Sequence, residues 1–153
     1  MARDVISMII ADHRDIRAIF GRLRREPAAR PALLVELAAK LVAHDRGEEE
    51  IVYPEITRVD PREAEHARHS VDEHQRAEQR LLHLLDIAPA AADFEPQLDD
   101  LADMITRHFA AEEEGILPAL AAALPRHRLE ELGHAFARLT AEEIRIGLSA
   151  GNR

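Results

Sequence analysis

A chain of 153 residues has room for one domain with a real core and too little for two. Hydrophobic residues at 46% and charged residues at 32% exclude wholesale disorder, and 3% aromatics, with no Trp and one Tyr, leave no stacking platform for single-stranded nucleic acid. A net charge of −9 weighs against a phosphate backbone as partner, and zero Cys removes disulfide frameworks, thiolate nucleophiles and Cys-based metal sites together.

Apolar residues recur at helical period along the whole chain and never at strand period. Segment A carries Val5, Ile9, Ile16, Phe20 and Leu23. Segment B, with Pro31 suited to a first helical turn, carries Leu33, Leu34, Leu37, Leu41, Ile51 and Val52. Segment C runs from about Pro61 with Ala67, Val71, Leu81, Leu82 and Leu85, and stops before Pro89. Segment D starts near Phe94–Pro96, continues through Leu98, Leu101, Ile105, Ile116 and Leu120, and stops before Pro125. Segment E, roughly 126–148, shows Leu129, Leu132, Phe136 and Leu139 on one face. Short Pro-marked junctions between helices of ~20 residues imply antiparallel neighbours. The expectation is an all-α protein: an up-down-up-down four-helix bundle over 1–122, an accessory C-terminal helix over 123–148 on the same domain, and a frayed tail at 149–153. The N-terminus lacks a long apolar run, with Asp4 and Asp12 interrupting it, and no segment reaches membrane-spanning length. A cytoplasmic protein with no membrane and no nucleic-acid partner is expected.

The apolar stripes have polar gaps. Segment A continued through 9, 13, 16 and 20 places His13 inward. Segment B through 37, 41, 44, 48, 51 and 55 places His44 and Glu48 inward. Segment C through 67, 71, 74, 78, 81 and 85 places His74 and Glu78 inward, and D through 101, 105, 108, 112 and 116 places His108 and Glu112 inward. An internal repeat supports this register: LVAHDRGEEEIVYP (41–54) aligns without gaps on ITRHFAAEEEGILP (105–118), and ADHRD (11–15) is similar to DEHQR (72–76). Two helix pairs related by approximate two-fold symmetry are implied.

A His followed by Glu four residues on occurs five times here, so the pair alone is a weak signal and is usually solvated surface. Four imidazoles and two or three carboxylates turned into one core layer are a different matter. Each buried carboxylate costs several kcal/mol unless it is paired, so stability alone does not explain the set. Cations among them resolve that cost, since deprotonated carboxylate and neutral imidazole are suitable ligands. Residues i and i+4 lie about 40° and ~6 Å apart on a helix, so His44 with Glu48 and His108 with Glu112 each address one cluster. Two-fold symmetry then gives two His to each of two metals, with Glu48 and Glu112 bridging and a position open for a small ligand. Sulfur-free imidazole and carboxylate ligation favours iron or manganese, with zinc open on residue type.

The pattern His…His-x3-Glu…His…His-x3-Glu, on His13, His44 with Glu48, His74, and His108 with Glu112, resembles the hemerythrin family, specifically its bacterial His-His-Glu cation-binding domains. The flanking EEEIVYP and EEEGILP are similar to that family's continuation of its ligand helices, and the resemblance spans about residues 3–122. It implies a four-helix bundle holding two non-haem iron ions per chain, carboxylate- and oxo- or hydroxo-bridged, that meet dioxygen, nitric oxide or peroxide. Oxygen-carrying members place a second histidine on the third helix, four residues from the first; Ser70 and Glu78 stand there instead. That departure weighs against reversible oxygen carriage and toward peroxide chemistry, with Glu78 a candidate additional ligand. Those members also space the last histidine and its carboxylate one residue wider, which would select Glu113. A five-residue step turns about 140° off the face, so Glu112 is expected.

Tyr53, before Pro54 and about 180° from His44 on an ideal helix, is expected to pack at a helix end, with a ligand or redox role as the alternative. His66, His69, His83, His127 and His134 fall off the stripes and are expected at the surface; Glu63-x-x-His66 and Glu131-x-x-His134 match a ferritin-type pattern on paper but miss the inward register. Two functions stand side by side within the di-iron expectation: binding or sensing a small diatomic ligand, and catalase-like disproportionation of hydrogen peroxide. A different class, iron storage or an iron-responsive interaction module with metal-dependent folding, is the alternative. The chain is expected as a monomer or homodimer.

Overall fold

The computed structural model describes residues 3–151, and among them every regular element is helical. Helix α1 spans Val5–Arg25. Asp4 caps it by accepting the Ser7 N–H at 2.8 Å, and Arg22, Arg24 and Arg25 in the last turn suit the negative end of the helix dipole. A 3-10 turn at Pro27–Ala29 leads into α2, Arg30–Gly47. A π-helical turn at Glu48–Val52 comes next, and the same arm continues as α3, Tyr53–Val59. After a 3-10 turn at Pro61–Glu63 come α4, Ala64–Leu85, and α5, Phe94–Glu114. Gly115 separates α5 from α6, Ile116–Ala123. Helix α7, Arg126–Gly151, is the extra C-terminal helix. It continues to Gly151, so positions 149–151, expected as a frayed tail, are helical, and 152–153 lie outside the described residues.

The architecture is the expected bundle with one added helix. Arms α1, α2–α3, α4 and α5–α6 surround a core in two apolar clusters. One contains Ile16, Phe20, Leu37, Leu84 and Leu98; the other contains Val5, Ile9, Val52, Ile56 and Leu117. Between them lies a buried polar layer of His13, His44, Asp45, Glu48, His74, His108 and Glu112. On α4 the buried line is Ala67, Ser70, His74, Ala77, Leu81 and Leu84. It runs one position earlier at alternate turns than the expected 71, 78 and 85, so Leu82 and Leu85 are exposed, at 63% and 41%.

Helix α7 packs chiefly along α2 and also against α1. The contact depends on Gly47, where an added Cβ would meet the Phe136 ring at 2.5 Å. Phe136 is fully enclosed and cannot yield without moving α7. Gly47→Ala is therefore expected to destabilise the fold by about 1–3 kcal/mol despite the better helix propensity of Ala. Thermal unfolding measures this, and an unchanged or raised melting temperature would contradict the packing.

Candidate metal centre

One residue from each long arm supplies an imidazole: His13 on α1, His44 on α2, His74 on α4 and His108 on α5. All four are buried, and Glu48 and Glu112, one turn beyond His44 and His108, are 0% and 2% exposed. The Nε2 atoms point inward. His74 Nε2 and His108 Nε2 are 3.0 Å apart, His108 Nε2 is 2.6 Å from Glu112 Oε1, and His74 Nε2 is 3.4 Å from Glu48 Oε1. His44 Nε2 approaches Glu48 Oε1 to 3.0 Å without hydrogen-bond geometry, and His13 Nε2 is 3.9 Å from Glu112 Oε1.

The outward nitrogens are held by a second set of acids. His44 donates from Nδ1 to Asp12 at 3.0 Å, His74 to Glu49 at 3.2 Å and His108 to Glu73 at 3.2 Å. His13 Nδ1 lies 3.7 Å from Glu113. A carboxylate only accepts, so these contacts keep the proton on Nδ1 and leave Nε2 free as a ligand. The pattern obeys the repeat: the acid before His13 serves His44, and the acid before His74 serves His108. Likewise the acid after Glu48 serves His74, and the acid after Glu112 faces His13.

Donor atoms converge in two sets, each within 4.8 Å: His13, His44, Glu48 and Glu112 in one, and Glu48, His74, His108 and Glu112 in the other. Glu48 and Glu112 belong to both. Several of these atoms are buried with no hydrogen-bond partner: both His13 nitrogens, His44 Nε2, both Glu48 oxygens and Glu112 Oε1. Burial, joined by the charge of Glu48, pushes the Glu112 carboxyl up to about 8. Burial is the largest influence on Glu48 and pushes it upward, but His44, Glu112 and His74 together outweigh it and hold Glu48 well below the carboxylate range. Burial and the nearby His44 drive His13 down to about 2. Buried nitrogen and oxygen donors that the protein leaves without partners fit a cation.

Six of the seven inward His and Glu residues singled out by periodicity are thus brought together. Glu113, the wider-spaced candidate, instead pairs with Arg17 at 3.1 Å. Glu78 does not join either set. It is half-buried beside Arg46 at 3.4 Å, because the inward line of α4 passes through Ala77. Tyr53 does reach the cluster, with its hydroxyl 3.3 Å from His74 Nε2 and donating to Glu112 Oε2 at 3.3 Å. The π turn explains the difference from the helix-end position expected of it. Bonding i→i+5 inserts one residue into the turn and rotates the residues beyond it back by about 100°. Burial raises the Tyr53 phenol well above its ordinary range, which keeps it protonated. His66, His69, His83, His127 and His134 are all exposed.

Asp45 escaped the periodicity because it sits one residue past His44, about 100° off the inward face. It is 1% exposed, and burial pushes it up to about 7. The signal that could have found it is the repeat, where Asp45 aligns with the apolar Phe109. Three cavities approach the cluster, one of them, about 60 Å³, touching His44 beside Asp12 and Thr140. A larger one of about 150 Å³, bordered by His66 and His69, reaches Ser70, Glu73 and Glu112. The smallest, of about 10 Å³, walled by Leu41, Ala77, Met104 and Ile105, touches Asp45, His74 and His108.

A family model for the hemerythrin HHE cation binding domain matches residues 4–120. The structure is similar to the crystal structure of a hemerythrin HHE cation binding domain-containing protein from Mycobacterium kansasii, with a TM-score of 0.81 at 22% identity over 93% of this chain and 88% of that one. At that identity the likeness is one of fold. No curated protein sequence matches the chain. No helix among the described residues is long and apolar enough to cross a membrane.

Proposed function

The chain belongs to the hemerythrin HHE cation binding domain family, and on that premise we propose that it is a non-haem di-iron protein that disproportionates hydrogen peroxide. The observation that carries the metal assignment is the pair of convergent donor sets sharing Glu48 and Glu112, with inward atoms left unpartnered by the protein. His13, His44, Glu48 and Glu112 would hold one ion, and Glu48, His74, His108 and Glu112 the other; nitrogen and oxygen donors without sulfur suit iron. Bound there, an iron pair supplies the electrons exchanged with peroxide, dioxygen or nitric oxide.

Peroxide is favoured over a carried diatomic by the groups beside the cluster. Disproportionation moves protons between two peroxide molecules, and a group that holds a proton beside the cluster serves that step. Tyr53 holds a proton 3.3 Å from both His74 Nε2 and Glu112 Oε2. The largest of the three cavities has a mostly apolar lining that brings Ser70 and Glu73 beside Glu112, room for a small molecule next to the cluster. In this proposal the partners are small molecules and the compartment is the cytoplasm.

The test is oxygen evolution from hydrogen peroxide by the iron-loaded protein at an oxygen electrode. One dioxygen is expected for every two peroxides consumed, and Tyr53→Phe should slow turnover by ~100-fold while retaining the metal. Stable, reversible oxygenation with no peroxide decay above that of free iron would overturn the proposal in favour of a carrier.

A further inference from the structure

The internal repeat is broken at two buried positions beside the cluster. In the register that equates His44 with His108, Asp45 stands opposite Phe109 and Tyr53 opposite Leu117. The consequences fall on different halves of the site. Phe109 stacks on His13, with ring centroids 3.8 Å apart and planes 10° from parallel. Asp45 instead brings Oδ1 to 3.5 Å from His74 Nε2, and the Tyr53 hydroxyl is 3.3 Å from that same nitrogen. One half is covered by a phenyl ring and the other by two oxygens.

Asp45 has little else to do in the protein. Its Oδ2 is buried with no hydrogen-bond partner. Arg46, the next residue, turns away to Glu49 at 2.7 Å and Glu78 at 3.4 Å. Among the described residues the one ion-pair contact of Asp45 is His74. That contact is already crowded: Asp45, Glu48, Tyr53 and His108 all approach His74 Nε2 within 3.5 Å. An imidazole nitrogen carries at most one proton and cannot bond all four. More donor atoms gathered around one point than the protons there can bridge are what a metal ion requires of its ligands.

We propose that Asp45 is a further protein ligand, given to the metal of the His74–His108 set alone, so that the two metal positions are unequal in ligand number and charge. This rests on the two-metal assignment made above. The His74–His108 position has an extra anionic ligand and binds its ion more tightly than Phe109 allows at the His13–His44 position. The break in the repeat at Asp45 gives one half-site a third carboxylate and places a phenyl ring beside the other.

Titration of the full chain with Co²⁺, which is stable to air, tests this. The wild-type protein is expected to take two ions per chain in two resolvable steps. Asp45→Asn, which keeps the volume and removes the charge, should weaken binding at the His74–His108 position by at least ~10-fold and alter one component of the visible Co²⁺ spectrum. The metal-free variant should melt no lower than metal-free wild type, because a buried charge has been removed, while its Co²⁺-induced rise in melting temperature shrinks. Anomalous scattering from Co²⁺-soaked wild-type crystals gives a reading independent of the variant's folding, with Asp45 at ligand distance from the ion beside His74 and His108. Unchanged affinities and spectrum, equal destabilisation with and without metal, or an ion out of reach of Asp45 would each overturn the Asp45 assignment while two ions still bind. Saturation of wild type at one ion would overturn the two-metal assignment and this one with it.

Discussion

Glu48→Ala is expected to abolish retention of both metals and to remove most of the stabilisation that metal confers. Glu48 belongs to both convergent sets and has neither carboxylate oxygen satisfied by the protein. Its removal also takes the carboxylate away from beside His44, 3.0 Å away, and His74, 3.4 Å away. Changes to groups that merely orient ligands typically cost about 10–100-fold in metal affinity, so loss of a shared ligand should exceed ~100-fold. His108→Ala acts on one set and should cost one ion first. His66→Ala and His127→Ala, both at the surface, should leave metal content and melting temperature unchanged. Metal analysis after gel filtration and thermal melts of the loaded proteins distinguish these cases. Four variants behaving alike would contradict the division between core and surface histidines.

Metal uptake should release protons and strengthen with pH between about 6.5 and 8. In the metal-free protein Glu112 is pushed up to about 8 by burial and by Glu48, so near neutral pH it holds a proton that a cation must displace. Each proton displaced raises the apparent affinity about tenfold per pH unit within that window. The sign for metal-free stability is opposite. Glu112 has a folded pKa above its unfolded value near 4.5, so the native state binds more protons from there up to about 8, and stability falls as pH rises through that range. His13 is lowered to about 2 from 6.5, so it makes the native state bind fewer protons only below about 6.5 and does not oppose the trend above it. The metal-free protein should therefore melt at lower temperature at pH 8 than at pH 6.5, while the loaded protein gains. Calorimetry in buffers of different ionisation enthalpy counts the released protons. A binding heat independent of buffer, with affinity flat over this range, would contradict the protonated state assigned to Glu112.

The helices and the six residues of the inward cluster were legible because burial imposes a period on sequence, and a polar residue on an apolar line is conspicuous. His13, His44, His74, His108, Glu48 and Glu112 all announced themselves in this way. What an ideal period could not supply was local deviation from it. The π turn at Glu48–Val52 carries no motif of its own, yet it rotates Tyr53 from a helix end into the cluster. The inward line of α4 drifts by one residue relative to the expected one, which moves Glu78 outward to Arg46 and buries Ala77 and Leu84 in its place. Asp45 lies off the stripe and is buried because the bundle is crowded at that level, a fact of packing that no single helix contains. The acids holding the outward nitrogens, Asp12, Glu49 and Glu73, were visible only as neighbours of ligands. Each acts on a different helix from the ligand it adjoins, so its role appears only once the arms are assembled.

The central claim is that four helices fold around two metal positions sharing Glu48 and Glu112. Anaerobic titration of the metal-free protein with ferrous iron, then removal of unbound metal and elemental analysis, tests it directly. Two irons per chain are expected, with the second lost together with the first in Glu48→Ala. Saturation at one iron per chain, or none, would contradict the account.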